Sequence, residues 1–165
     1  MKLKNKIEIA GPVGLLYMPC GALVLFDAEE ADRVAVKRWF LSDSGYATHT
    51  FHSGGKTEHL YLHRFLRPSL GLIDHWNTDT LDCRKNNLRP ATKVQNNQHR
   101  RGWKSKGEHF KGVFWEERTQ RWRAGIGVGT KKHWLGRFIC PKEAAAAYNA
   151  AALRFFGQFA LCNPV

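Results

Sequence analysis

Several common features are missing from this chain. Its four cysteines, Cys20, Cys83, Cys140 and Cys162, are scattered and form no CxxC pair. That excludes a zinc ribbon or finger and argues against a secreted disulfide framework. Reduced thiols in a cytoplasmic protein are the expectation. No apolar run reaches the roughly 18 residues of a membrane span. The amino terminus, MKLKNK followed by an uncharged stretch from Gly11 to Phe26, imitates a secretory signal. Glu8 and the breakers Gly11, Pro12, Gly14, Pro19 and Gly21 interrupt it, so no signal helix is expected. Acidic residues are also scarce, with 14 Asp and Glu against 26 Lys and Arg, for a net charge of +12. Residues 1–58 carry 7 of each sign, so the whole excess lies beyond them, +6 in 59–108 and +6 in 109–165. Such a surface favours nucleic acid, because Lys and Arg displace condensed counterions from phosphates.

What is present divides the chain into parts. Gly14–Met18 and Ala22–Phe26 read as strands joined by a Pro-Cys-Gly turn. Asp27-Ala-Glu-Glu30 has the form of a capping box, and Ala31, Val34, Ala35 and Trp39 continue it at helical spacing over about 28–39. Gly45–Phe51 and His59–Leu66 read as strands around a Ser-Gly-Gly-Lys turn. Nothing in residues 1–58 reads as catalytic, and we take them as a β-rich scaffold. Thr92-Lys-Val-Gln95 forms another capping box, so a helix should begin near Lys93. The stretch 102–109 has the composition of a basic linker, and Arg100, Arg101, Lys104 and Lys106 in or beside it are candidate phosphate contacts. Beyond it, Val113–Trp115, Trp122–Val128 and His133–Phe138 should form a three-stranded antiparallel sheet. Pro141 opens a helix that Gly157 closes, with Ala144, Ala147, Tyr148, Ala151 and Phe155 as the apolar stripe. The fold class expected is α+β, in parts 1–58, 59–101, 102–109 and 110–165.

The chemistry concentrates between Asp74 and Asn96, DHWNTDTLDCRKNNLRPATKVQN. Phosphodiester hydrolysis needs an in-line deprotonated water and a cation on the leaving oxygen. The Asp74 carboxylate and the Asn96 amide oxygen are hard ligands suited to Mg²⁺ or Mn²⁺ and poor ones for Zn²⁺. His75 would point to the other side of a strand, a neutral imidazole able to act as base. Asn87 is placed to fix its tautomer by a hydrogen bond to the second ring nitrogen.

Leu62-His63-Arg64, Asp74-His75-Trp76-Asn77, Asn86-Asn87-Leu88-Arg89 and Gln95-Asn96, in this order, resemble the HNH homing endonucleases of phages and mobile introns, whose core is a ββα-metal motif. The upstream stretch from Phe26 to His49 is similar to the region preceding that motif. The resemblance implies Asp74 and Asn96 as ligands of one metal ion, His75 as general base and Asn87 as a loop-stabilising residue. His63 and Arg64 become support or phosphate contacts, with Arg89 also a DNA contact. Trp76 and Pro90 depart from the usual pattern without removing a catalytic group.

Residues 110–163 resemble the plant ethylene-response-factor (Apetala-type) DNA-binding domain, which lays a three-stranded sheet in the major groove. The resemblance rests on the GV near its start, Trp-x-Ala, Trp-Leu-Gly, EAAxAY and the final Gly-x-x-Ala. Candidate contacts are Trp115, Arg118, Arg121, Arg123, Lys131, Lys132 and Trp134. Trp122 is expected in the core. Phe114 and Glu116 stand where that family typically has arginine, and Gly125 and Gly127 where it has polar residues, so its base preference does not transfer. The function expected is a site-directed endonuclease acting on double-stranded DNA, a monomer that nicks. The rival is a DNA-binding regulator without cleavage; an RNA-binding protein is a third reading.

Overall fold

The computed structural model describes residues 5–100 and 110–165. The fold is α+β, with several small antiparallel sheets and few helices. The chain divides into two compact units, Met1–Thr92 and Lys93–Val165.

The first unit begins with a three-stranded meander, β1 (Lys6–Ala10), β2 (Val13–Tyr17) and β3 (Leu23–Asp27). β2 and β3 lie where the turn chemistry puts them. β1 was not expected: its Lys-Ile-Glu-Ile alternation carries charge on one face, and pairing with β2 makes it a strand. Leu16, Val24 and Phe26 point into a core shared with Val34, Trp39, Ala47, Leu62 and Leu66. Trp39 is fully buried and donates its indole N–H to the Val34 carbonyl at 2.9 Å.

The helix expected over 28–39 is shorter. A 3₁₀ turn at Ala28–Glu30 leads into α1 (Ala31–Ala35). Asp27 does not cap it. Its Oδ2 instead accepts from Arg67 Nη2 at 2.7 Å and from the Lys85 amide at 2.8 Å, while Arg67 Nη1 reaches Glu30 Oε1 at 2.7 Å. Long-range charge pairing outcompetes the local cap. β4 (Phe40–Leu41), β5 (Ala47–Ser53) and β6 (Lys56–Tyr61) form a second sheet, with Gly54 and Gly55 at the expected turn. The strand expected to run to Leu66 stops at Tyr61. Leu62–Leu66 is a helical turn, α2, which buries Leu62 and Leu66 on the core side and His63 beside them. A two-stranded ribbon follows, β7 (Ile73–His75) against β8 (Leu88–Pro90).

The second unit opens with α3 (Lys93–His99), at the start the Thr92 signal gave. The Lys111 ammonium donates to the Gln98 and Arg100 carbonyls at 2.5 and 2.7 Å, a cation satisfying the end of a helix. β9 (Val113–Glu116), β10 (Arg121–Val128) and β11 (Lys131–Phe138) form an antiparallel sheet in the order β11-β10-β9. α4 (Pro141–Phe156) covers one face and ends at Gly157, whose φ of 52° a side chain would resist. Its buried stripe is Ala144, Ala145, Tyr148, Ala151, Ala152 and Phe156. Phe155, expected there, is exposed and lies against His133, because the helix rotates Phe156 inward instead. Trp122 packs on the core side with Val113, Ala124, Ala144 and Ala145.

One clasp closes this unit. Asn163 Oδ1 accepts from the Lys111 amide at 2.6 Å, and its Nδ2 donates to the Lys111 carbonyl at 3.1 Å. Asn149 on α4 grips the Asn163 backbone, donating to its carbonyl at 3.0 Å and accepting from its amide at 2.7 Å. Asn149→Ala removes both of these bonds and should cost about 2 kcal/mol. Chemical denaturation of the purified variant checks this; an unchanged midpoint would show that the clasp contributes nothing.

Candidate active site

The ribbon puts the acid and the imidazole on opposite sides. Across β7 and β8, Asp74 faces Arg89 and His75 faces Leu88. Alternation along the strand then separates the two side chains. Both are buried, each 5% exposed.

Asp74 meets Arg89, whose Nε donates to Oδ2 at 2.8 Å and whose Nη2 lies 2.7 Å from the same oxygen. The guanidinium also sits over the Trp76 ring, 4.3 Å from its centre. Arg89 was expected to contact DNA, and the structure places its guanidinium on the Asp74 carboxylate. Trp76, exposed, gives the guanidinium a flat support.

His75 lies among aromatic rings. His63 meets it edge-on at 5.0 Å, and Tyr46 lies 5.9 Å from it and 5.3 Å from His63. Tyr61 stacks on His63 at 5.7 Å. His75 Nε2 is buried and finds no hydrogen-bond partner among the described residues. Burial pushes the His75 pKa down, against the pull of Asp74, Asp79 and Asp82. His63 is pushed down to about 3 by burial, with the His75 and Arg64 charges adding to it. Both rings are neutral at pH 7, and His63 is too buried to meet a phosphate directly. Arg64 is exposed, with its guanidinium 5.3 Å from the Tyr61 ring centre.

The loop between β7 and β8 is built on Asp82, 1% exposed. Its Oδ2 accepts from Asn77 Nδ2 at 2.9 Å and Arg84 Nη2 at 2.7 Å, and its Oδ1 from Arg84 Nε at 2.8 Å. Burial alone would raise its pKa, but the Arg84 and Asn77 bonds carry it below the ordinary value. The flanking amide and carbonyl bonds fasten the loop to β3: Leu25 N donates to Leu81 O at 2.9 Å and Cys83 N to Leu25 O at 2.8 Å. Asn87 was expected to hold the His75 ring. Its Oδ1 instead accepts from the Asn77 amide at 2.9 Å, and its Nδ2 donates to the Asp82 carbonyl at 2.8 Å. It braces the loop, and its own carbonyl takes the Trp76 amide at 2.8 Å, fixing the chain just after His75.

Tyr46 and Asp82 escaped the sequence reading. Tyr46 belongs to the segment taken as scaffold; Thr80 Oγ1 ties it to the loop by donating to the Gly45 carbonyl at 2.6 Å. The repeated acids of Asn77-Thr-Asp-Thr-Leu-Asp82 were the available signal for Asp82.

Of the two expected metal ligands, Asp74 lies in the first unit and Asn96 on α3 in the second. No three His, Cys, Asp or Glu side chains gather into a metal-binding group among the described residues. The donor set of the ribbon is one hard carboxylate. That fits Mg²⁺ or Mn²⁺, which keep several waters, and falls short of a zinc site.

In the second unit, Arg118, Arg121, Lys131 and Lys132 are exposed, Arg123 is half-buried, and Trp134 is exposed. Trp115 lies edge-on to Trp122 at 5.1 Å, on the helix side of the sheet. Arg100 is exposed at the end of α3. Arg101, Lys104, Lys106 and the linker 102–109 lie outside the described residues.

No family model matches the chain. It is similar to an uncharacterized HNH endonuclease of Acanthamoeba polyphaga mimivirus, 29% identical over 140 residues, covering 80% of this chain and 70% of that protein. A match of that extent includes the Asp74–Asn96 window wherever it begins. An AP2-like ethylene-responsive transcription factor of Arabidopsis thaliana is 41% identical over 64 residues, 39% of this chain. An APETALA2-like protein of Oryza sativa is 40% identical over 64 residues. The chain spans only 13% and 15% of the length of these two plant proteins. No helix among the described residues is long and apolar enough to cross a membrane.

Because both buried histidines are neutral in the fold but take protons near pH 6.5 when exposed, the unfolded chain binds more protons as pH falls from that value toward 3. Stability should therefore drop across this window. His63 alone accounts for about 2 kcal/mol between pH 7 and pH 5. Thermal unfolding of the protein and of His63→Phe at both pH values checks it. The variant should lose part of the pH dependence, and an identical dependence would refute the assignment.

Proposed function

We propose that the protein is a DNA endonuclease of the HNH kind, cutting phosphodiester bonds with His75 as general base. The observation that carries this is the His75 Nε2 atom: buried, neutral, without a partner among the described residues, and at the far side of the ribbon from a buried carboxylate. A buried ring nitrogen without a partner costs stability unless it serves another purpose, and accepting a proton is the chemistry an imidazole offers. The similarity over most of the chain to a protein named as an HNH endonuclease supports the same reading.

In this mechanism the neutral His75 takes the proton of a water whose oxygen attacks phosphorus. The bond from phosphorus to the 3′ oxygen breaks, and that oxygen takes a proton from solvent, leaving a 5′-phosphate and a 3′-hydroxyl. Burial disfavours the resulting imidazolium, and the negative field of Asp74, Asp79 and Asp82 offsets part of that cost. The loop held by Asn87 and Asp82 keeps the ring at its place. Tyr46 and His63 form the floor that restricts its rotation. Asp74, oriented by Arg89, is the anionic ligand for Mg²⁺ or Mn²⁺. Such an ion, when bound, stabilises the charge on the leaving oxygen.

A single site of this kind cuts one strand per event, so a monomer nicks. The basic second unit tethers it to double-stranded DNA, raising the local concentration of the catalytic unit at its site. The similarity to plant transcription factors favours a second reading, a DNA-binding regulator that does not cut.

Nicking of supercoiled plasmid separates the two. The protein with Mg²⁺ should produce open circles, and EDTA should stop it. His75→Ala should lower the rate by about 10²–10⁴-fold while DNA binding persists. Unchanged nicking by that variant defeats the base assignment, and no nicking with any divalent ion leaves the regulator.

A further inference from the structure

The ion pair on the ribbon is built differently from the one that braces the loop. Arg84 forks across both oxygens of Asp82, Nε to Oδ1 at 2.8 Å and Nη2 to Oδ2 at 2.7 Å. Arg89 brings the same two nitrogens to one oxygen. Its Nε donates to Asp74 Oδ2 at 2.8 Å, and its Nη2 lies 2.7 Å from that atom. A fork over two oxygens is the stronger and more directional hold, so the Arg89 grip is the more exchangeable of the two. Both side chains are nonetheless buried, 6% exposed for Asp74 and 12% for Arg89.

Two features keep the guanidinium there. Arg89 and Asp74 stand directly opposite in the register of β7 and β8, so the short ribbon itself brings them together. Trp76, two residues beyond Asp74, lays its ring against the guanidinium, 4.3 Å from ring centre to Arg89 Cζ. The Trp76 amide donates to the Asn87 carbonyl at 2.8 Å, which fixes the backbone that carries the ring. The ring is 54% exposed, so it fills no core; its work is to support a cation.

The contact that orients Asp74 also neutralises it. Carboxylate and guanidinium sum to zero charge, so a divalent cation approaching Asp74 meets a positive neighbour as well as an anion. Mg²⁺ and Mn²⁺ keep most of their waters and rely on few protein oxygens, so the charge of each one matters. A phosphate can relieve this conflict. It offers a guanidinium an anion with two oxygens in fork geometry, a better hold than one oxygen of Asp74.

We propose that Arg89 is a latch on the metal-binding carboxylate. In the DNA-free protein it occupies Asp74 and weakens the hold on divalent ions, and the reacting phosphate draws it off. Metal and duplex then strengthen each other's binding, each by the same factor. Trp76 is a positioning residue that keeps the latch on the carboxylate. The inference rests on the reading of Asp74 as a metal ligand and goes beyond it, since it makes metal occupancy conditional on substrate.

Mn²⁺ titrated into the full chain without DNA, with the free ion read by its EPR signal, tests this. Arg89→Gln keeps a donor and removes the charge, and should bind Mn²⁺ roughly tenfold more tightly than the unaltered protein. Trp76→Leu keeps the ion pair and removes only its support, and should tighten Mn²⁺ by about 2–5-fold. It also decides the matter should Arg89→Gln not fold. An affinity that stays the same or falls in either variant, at an unchanged melting temperature, makes Arg89 an orienting partner only and overturns the latch. Asp74→Asn should lose the binding. If it binds Mn²⁺ as the unaltered protein does, the metal-ligand reading has failed, a result distinct from failure of the latch. A second titration adds an excess of a short duplex spanning the plasmid nick, in the His75→Ala background so that it stays intact, corrected for Mn²⁺ on the duplex alone. The duplex should tighten Mn²⁺ by about tenfold where Arg89 is present and by several-fold less in Arg89→Gln. An equal gain in both defeats the handover to phosphate.

Discussion

The first unit depends on one buried carboxylate. Asp82 lies under the surface with both oxygens occupied, by Asn77 and by the forked Arg84. A charge so buried is stable only if its partners stay, and removing one leaves an uncompensated anion at a cost of several kcal/mol. The backbone on either side of it is sewn to β3. That seam sets where Asn77 and Asn87 lie, and Asn87 sets where the chain turns after His75. The position of the imidazole is therefore inherited from a sheet that carries none of the residues proposed for hydrolysis.

A second charge arrangement works in parallel. Arg67 spans Glu30 and Asp27, and Asp27 also receives the Lys85 amide. The 3₁₀ turn after β3, the end of α2 and the loop before β8 are thus joined through the Arg67 guanidinium and the Asp27 carboxylate. Its side chain is 16% exposed, so these bonds act in a medium that screens them less than water does.

How much of this could be read from the residues follows the range of the interactions. Local signals were legible: the Ser-Gly-Gly-Lys turn, the Pro141 and Gly157 ends of α4, and the start of α3 at Lys93. So was the adjacency of Asp74 and His75, which alternation alone separates onto two faces. What was not legible depended on distant partners. Asp27 looked like a cap until Arg67 claimed it. Leu62–Leu66 looked like a continuing strand, since its apolar residues satisfy either period, and burial of Leu62 and Leu66 on one side made it a helical turn. Tyr46 carried no mark of its place beside two histidines far along the chain. A division between residues 58 and 59 passes through β6, whose pairing with β5 holds both sides together.

The seam between the loop and β3 limits how this ribbon can be moved. A segment running from Asp74 to Asn96 holds the residues proposed for hydrolysis, yet its loop exchanges backbone bonds with Leu25 and donates the Lys85 amide to the Asp27 carboxylate. Transplanted into another host protein, such a segment would arrive with its polar groups unmatched. A chimera would need to borrow the amino-terminal meander along with it, so the smallest portable cassette is nearly the whole first unit.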